Sequence, residues 1–221
     1  MRELATIVVP VFGRSWHPLE LALLLHARKI MPEFSLVFVG PEPRDMSEIK
    51  NDFPEATIYK FDPAFFENKQ GYARLLLRPD FYEMFGWSEF LLLFEPGSYI
   101  TKNELHYWCK QGHDYICDSS GRLSLRHVDK FMSLARKNQR DIQHFLAGKA
   151  DSDHAFWQKK AGGFWPALRS PTAVVSEYFS QPIDAVTPIE KAESLPFAIT
   201  GLVPENTRHQ EWLNTIEIKT E

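Results

Sequence analysis

Three short stretches of nearly unbroken apolar character limit what this chain can fold into. Thr6 to Phe12 reads TIVVPVF, Ser35 to Val39 reads SLVFV, and Phe90 to Phe94 reads FLLLF. None alternates polar with apolar residues, so each predicts a strand covered on both faces, as in a parallel sheet flanked by helices. Between them the period changes. Pro18 opens PLELALLLHARKI, whose leucines and terminal Arg28 and Lys29 predict a helix with its basic end at the C-terminus. Gly40-Pro41-Glu42-Pro43 stops the second strand, and Thr57 to Phe61 predicts a third after a helical turn. Tyr72 to Phe85 predicts a helix that restarts after Pro79. Asn103 is a cap for ELHYWCKQ, which Gly112 ends, and Tyr115 to Cys117 and Leu123 to Arg126 predict two more strands before a helix over Val128 to Lys137. The expected fold is α/β, a single domain over 1–221 with a central, mostly parallel sheet, helices on both faces and an irregular C-terminal layer.

Composition narrows the function classes. The chain carries 17 Phe, 7 Tyr and 6 Trp, too many rings for a disordered polymer. Lys and Arg total 25 against 29 Asp and Glu, a formal net charge of -4 with no basic stripe, so nucleic acid is not an expected partner. No apolar run of about 18 residues occurs and Arg2-Glu3 does not begin a secretory leader, so neither a transmembrane segment nor a signal peptide is expected and the location expected is cytoplasmic. Cys109 and Cys117 match neither a redox pair nor a zinc half-site and read as reduced thiols. The eight histidines lack metal-ligand spacing, so no metal site is expected from local sequence.

Neither a glycine-rich phosphate loop nor a GxSxG elbow is present, which disfavours Rossmann dehydrogenases, P-loop NTPases and serine hydrolases. Ligands of open α/β sheets bind beyond the C-terminal strand ends, which directs attention to Phe12 to Trp16, Gly40 to Arg44, Glu95 to Ser98 and Asp118 to Gly121. Glu95 and Asp118 suit a cation or a ribose, and equally a solvated loop. Arg74 and Arg78, four apart, suit a diphosphate or a plain surface. Tyr107, Trp108 and Tyr115 read as packing. Asp151-Ser152-Asp153-His154 precedes Phe156-Trp157, and a carboxylate beside aromatic walls suits a general base; Asp151 or Ser152 equally suits a helix cap.

Several fragments in order resemble a bacterial family of uncharacterised proteins with a GT-A, nucleotide-sugar glycosyltransferase-like fold. They are TIVVPVF with HPLELALLL, SLVFVGPE, GYARLLLRPDFYEMF, EFLLLFEPGSYI, NELHYWCKQGHDYI, GRLSLRHVDKF, SDHAFW and LPFAITG. The resemblance implies transfer of a sugar from a nucleoside diphosphate donor to a glycan or polysaccharide hydroxyl, with 1–100 as the nucleotide-binding half and 101–221 as the acceptor side. Three departures stand out. The family pattern resembles YQLDAF after the central strand, and its metal-binding acid falls at Gly97 in FEPGS. A second pattern resembles PFGxHG, and its histidine falls at Thr200. The asparagine-glycine-glycine loop expected after DYICD is shortened.

The family's NED leaves Asp153 as the matching acid and the expected catalytic base. Donor binding is expected from Pro10, Phe12, Arg74, Glu95, Ser98 and Arg122, with Arg126 and Lys102 as further cations, and acceptor binding from Phe156, Trp157 and Trp165. No cofactor beyond the nucleotide-sugar substrate is expected, and the transfer is expected to proceed without a metal. The alternative is a degenerate module that assists an active transferase. Partners on either reading are a nucleotide sugar and a glycan, or a transferase, with peripheral contact at the inner face of a membrane.

Overall fold

The computed structural model describes residues 2–12, 16–148, 152–162, 164–186 and 195–215. Its elements are β1 (Glu3–Pro10), α1 (Pro18–Ile30), β2 (Ser35–Pro41), α2 (Ser47–Asp52), β3 (Thr57–Phe61), α3 (Lys69–Leu76), α4 (Pro79–Glu83), β4 (Ser88–Phe94), β5 (Tyr99–Ile100) and α5 (Leu105–Cys109). There follow β6 (Tyr115–Cys117), β7 (Leu123–His127), α6 (Val128–Lys137), α7 (Gln139–Ala147), α8 (Asp153–Ala161), α9 (Ala173–Phe179), β8 (Ser180–Pro182), β9 (Ala198–Thr200) and α10 (Thr207–Thr215). None of the described helices is long and apolar enough to cross a membrane.

The central sheet has six strands in the order β3-β2-β1-β4-β7-β6. β3, β2, β1 and β4 run parallel, whereas β7 is antiparallel to both β4 and β6. The apolar strands are covered on both sides: Ile7, Val9, Phe38, Leu92 and Phe94 face one core, and Val8, Val37, Val39, Leu91 and Leu93 face the other. That double burial explains why these strands show no alternation in sequence. Strand order reverses between β1 and its two neighbours, β2 and β4, which opens a crevice beyond their C-terminal ends. The reversed strand β7 brings its own beginning to that crevice, because Leu123 pairs with Phe94 and the Glu95 amide donates to the Arg122 carbonyl at 3.2 Å.

The C-terminal layer is more regular than its sequence. A second sheet, β5-β9-β8, joins a strand from the first half of the chain to two from the second. These strands are two or three residues long, too short for periodicity to reveal. Asn103 does not cap α5; its amide donates to Glu33 at 2.9 Å, and Glu104 takes the cap position.

One buried carboxylate ties the two sheets together. Asp118, just after β6, accepts at Oδ1 from the Ser120 amide and hydroxyl and the Gly121 amide, and at Oδ2 from the hydroxyls of Ser180 at 3.0 Å and Thr200 at 2.8 Å. Its acceptor capacity is spent within the protein, so Asp118 is a structural acid and not a ribose or cation ligand. Asp118→Ala is expected to lower stability by about 2–4 kcal/mol, since it strands buried hydroxyls and turn amides. Urea denaturation checks this; an unchanged midpoint contradicts it.

Candidate functional site

The crevice holds a cavity of about 750 Å³, well within the range of small-molecule sites. Pro10 and Phe12 enter it from the end of β1, and Glu95 and Pro96 from the end of β4. Gly121 and Arg122 come from the turn before β7, Ser152 and Asp153 from the start of α8, and Lys69, Tyr72, Ala73 and Leu76 from one face of α3. Residues 121, 122 and 153 lie far along the chain from 10, 12 and 95, so both halves build this cavity.

Two acids face the cavity in opposite surroundings. Glu95 is half-buried, and burial pushes its carboxyl up from an ordinary 4.5 to about 7, against the opposing pull of Arg122 and Lys69 and with support from the nearby charges of Asp153 and Asp118. Asp153 instead meets a buried guanidinium. Its Oδ2 accepts from Arg126 Nη1 at 2.5 Å, with the side chains 7% and 1% exposed. Its Oδ1 makes no hydrogen bond among the described residues. Arg126 is fixed further by the Tyr82 hydroxyl at 3.0 Å and the Ser124 hydroxyl at 2.9 Å, and lies over the rings of Tyr115 and Phe131. Asp153 reaches this position because Ser152 caps α8, accepting from the His154 amide at 3.2 Å. The proposed cap Asp151 lies outside the described residues, as does the part of the first-strand loop at 13–15.

Of the residues expected at a donor site, Pro10, Phe12, Glu95 and Arg122 line the cavity together with Asp153. Ser98 does not. It is buried, and its hydroxyl donates to the Glu95 carbonyl at 2.8 Å, bracing the loop from behind. Arg74 is exposed on α3, off the face made by Lys69, Tyr72, Ala73 and Leu76, and Arg78 is paired with Asp80. Lys102 is paired with Glu104 at 3.1 Å, away from the cavity. The expected aromatic acceptor wall divides. Phe156 and Trp157 are 4% and 0% exposed and pack in the core against Phe145 and Phe131, because they occupy the inward face of α8. Trp165 is 88% exposed, stacked edge-on with Phe164, and lines neither described cavity.

Gly97 and Thr200, the two positions where the resembled pattern would place metal ligands, have structural duties here. Gly97 has φ 88, and a Cβ there would stand 2.7 Å from the Leu202 carbonyl oxygen, so no aspartate fits without shifting the backbone. Thr200 is committed to Asp118. Among the described residues no three His, Cys, Asp or Glu side chains come together as a metal cluster. The residues present do not fit the family's metal site.

Lys69 and Tyr72 were not singled out in the sequence as site residues. Lys69 is the first residue of α3, capped by Asn68, whose side chain accepts from the Gly71 amide at 2.8 Å; an asparagine before a helix beginning with lysine is the signal that marks it. Tyr72 stands edge-on to Phe12 with ring centroids 5.3 Å apart, and burial holds its phenol well above the usual value, so it stays a donor.

These features define an α/β protein with a charged cavity at the sheet's switch point. The chain belongs to the family described as "Protein of unknown function (DUF5672)", which matches residues 55–199. By sequence, no curated protein matches it. Among solved structures it is similar to the apo form of the glycosyltransferase GlyE of Streptococcus pneumoniae TIGR4, at 10% identity and a TM-score of 0.63 over 99% of this chain and 61% of that one. A second GlyE structure gives 11% identity and 0.61 over 100% and 62%. The chain thus spans about three-fifths of GlyE, and at such identity the likeness establishes fold alone.

Two measurements probe the acids. Asp153→Ala leaves Arg126 buried without its counter-charge and is expected to cost about 3–5 kcal/mol in denaturant unfolding, more than an exposed ion pair contributes. A loss below about 1 kcal/mol contradicts the buried pair. For Glu95, the folded chain keeps between pH 4.5 and about 7 a proton that the unfolded chain has released, so stability falls as pH rises through that window. The melting difference between Glu95→Gln and the native protein is expected to grow across the same window and level off above it. A constant difference contradicts the raised carboxyl.

Proposed function

We propose that this protein transfers a sugar from a nucleoside diphosphate donor to a hydroxyl of a glycan, in a GT-A-like site that works without a divalent ion. The observation that carries this reading is the convergence of Glu95, Asp153, Arg122 and Lys69 on one cavity at the switch point. Two acids with separated environments suit two roles.

Asp153, beside the buried Arg126, accepts the proton of the acceptor hydroxyl at Oδ1 as that oxygen attacks the anomeric carbon. The bond from the anomeric carbon to the phosphate oxygen breaks, and the electron pair leaves with the nucleoside diphosphate. Arg122 and Lys69 line the cavity with no ion pair among the described residues and are suited to hold the departing oxygens by charge-assisted hydrogen bonds. Glu95, protonated near neutrality, donates to the same oxygens, where the family pattern would have placed a metal. Pro10, Phe12 and Tyr72 form the wall for the nucleotide.

The experiment is turnover with a panel of nucleotide sugars, backed by thermal shift. At least one donor is expected to raise the melting temperature, with activity unaffected by EDTA. The rate should fall as pH rises above about 7, as Glu95 loses its proton. Asp153→Asn is expected to lower kcat by about 10²–10⁴ while nucleotide binding persists. Glu95→Gln keeps a donor and is expected to lose the alkaline fall while retaining part of the activity. A flat thermal response to every donor, or unchanged turnover in Asp153→Asn, contradicts the proposal.

A further inference from the structure

On the other side of the Asp118 turn lies a second cavity, of about 590 Å³. One wall is the face of α9 that carries Ala173, Ser176 and Glu177; another is the end of α8 at Gln158, Ala161 and Gly162. Its chemistry differs from that of the first cavity. No Lys, Arg or His lines it among the described residues. Of its two acids, Asp118 is saturated by five hydrogen bonds within the protein. The side chains of Ser119, Gln158, Ser176, Glu177 and Gln181 make no hydrogen bond among the described residues, so their donors and acceptors are free for a ligand.

An anionic ligand finds no countercharge here, and an apolar one would leave five polar groups desolvated without partners, at a cost for each. A neutral ligand bearing many hydroxyls satisfies both kinds of group, since each hydroxyl both donates and accepts. Ala161, Pro171, Ala173, Pro182 and Ala185 supply small apolar surface for its carbon face.

We infer that this second cavity binds a neutral, polyhydroxylated chain, an uncharged oligosaccharide. It rests on the transferase reading for its purpose, holding the glycan whose terminal hydroxyl enters the first cavity, but not for its binding chemistry. The two cavities share the turn Asp118 to Gly121 and the helix α8. Gln158 lies five residues beyond Asp153, about 7.5 Å along the helix axis and about 140° around it, so a short oligosaccharide reaches both by passing round the start of α8. This assigns acceptor contact to Gln158, Glu177 and Gln181 in place of Phe156 and Trp157, which are buried in the core.

The test is direct binding, without donor or turnover. The intact chain is titrated with neutral tri- and tetrasaccharides built on glucose, galactose and N-acetylglucosamine, and with uronic-acid counterparts, read by saturation-transfer NMR and calorimetry. At least one neutral oligosaccharide is expected to bind saturably. The Gln158→Ala/Gln181→Ala double variant should weaken it by about tenfold, the worth of one or two hydrogen bonds. Both glutamines are at the surface or half-buried, so folding is expected to survive, as checked by melting temperature and by an unchanged nucleotide response. Absence of binding at millimolar oligosaccharide, preference for the acidic sugars, or equal binding by the glutamine variant overturns the inference. Failure of the transferase reading alone would appear differently, as glycan binding with no response to any nucleotide sugar.

Discussion

A guanidinium enclosed by protein must find its counter-charge and hydrogen bonds there, and the cavity is arranged around that requirement at Arg126. A lone buried cation costs several kcal/mol, so β7, α4 and α8 are held in one relation by what they contribute to it: Ser124, the Tyr82 hydroxyl and the Asp153 carboxylate. The rings of Tyr115 and Phe131 close the remaining sides. Because Asp153 is the first residue of α8, satisfying Arg126 also aims the start of that helix at the crevice. On the proposed transfer, stability and function would meet in that single side chain. A substitution at Asp153 unsettles the buried pair, so any activity measured in such a variant has meaning only beside its folding energy.

Asp118 does for the second sheet what Arg126 does for α8. Its carboxylate gathers the turn before β7 and the strands β8 and β9, and the same turn carries Arg122 to the cavity. Gly97 and Thr200, where the family pattern would place metal ligands, are both built into packing here, one by a carbonyl that leaves no room for a Cβ and the other by Asp118. In the region of that pattern the cavity instead holds a carboxyl raised by burial, Glu95, with the charges of Arg122 and Lys69 close by.

The parallel core was legible in the sequence because burial on both faces leaves a plain mark: Thr6 to Phe12, Ser35 to Val39 and Phe90 to Phe94 become β1, β2 and β4, with ends shifted by up to three residues, and β1 stopping at Pro10. Strand-end logic then located Glu95 and Phe12. Arg122 was reached as a nearby cation, but its place beside Glu95 depends on the antiparallel register of β7, which no local pattern encodes. The aromatic pairs were misread for a related reason. Phe156-Trp157 and Phe164-Trp165 look alike in sequence, yet the first lies on the inward face of α8, whereas the second follows the end of that helix at Ala161 and stands at the surface. Lys69 carries no local signal of its place in the cavity wall, which comes from the packing of α3, and the Ser98 hydroxyl turns back to its own loop instead of the cavity.

A crystal structure of the protein with an intact nucleotide sugar, grown without divalent ions, tests the proposed transfer at its site. The diphosphate is expected between Lys69 and Arg122, with Glu95 in hydrogen-bond reach of its oxygens and Asp153 Oδ1 facing the anomeric carbon. A donor seated elsewhere on the molecule, or one whose anomeric carbon points away from Asp153, contradicts it.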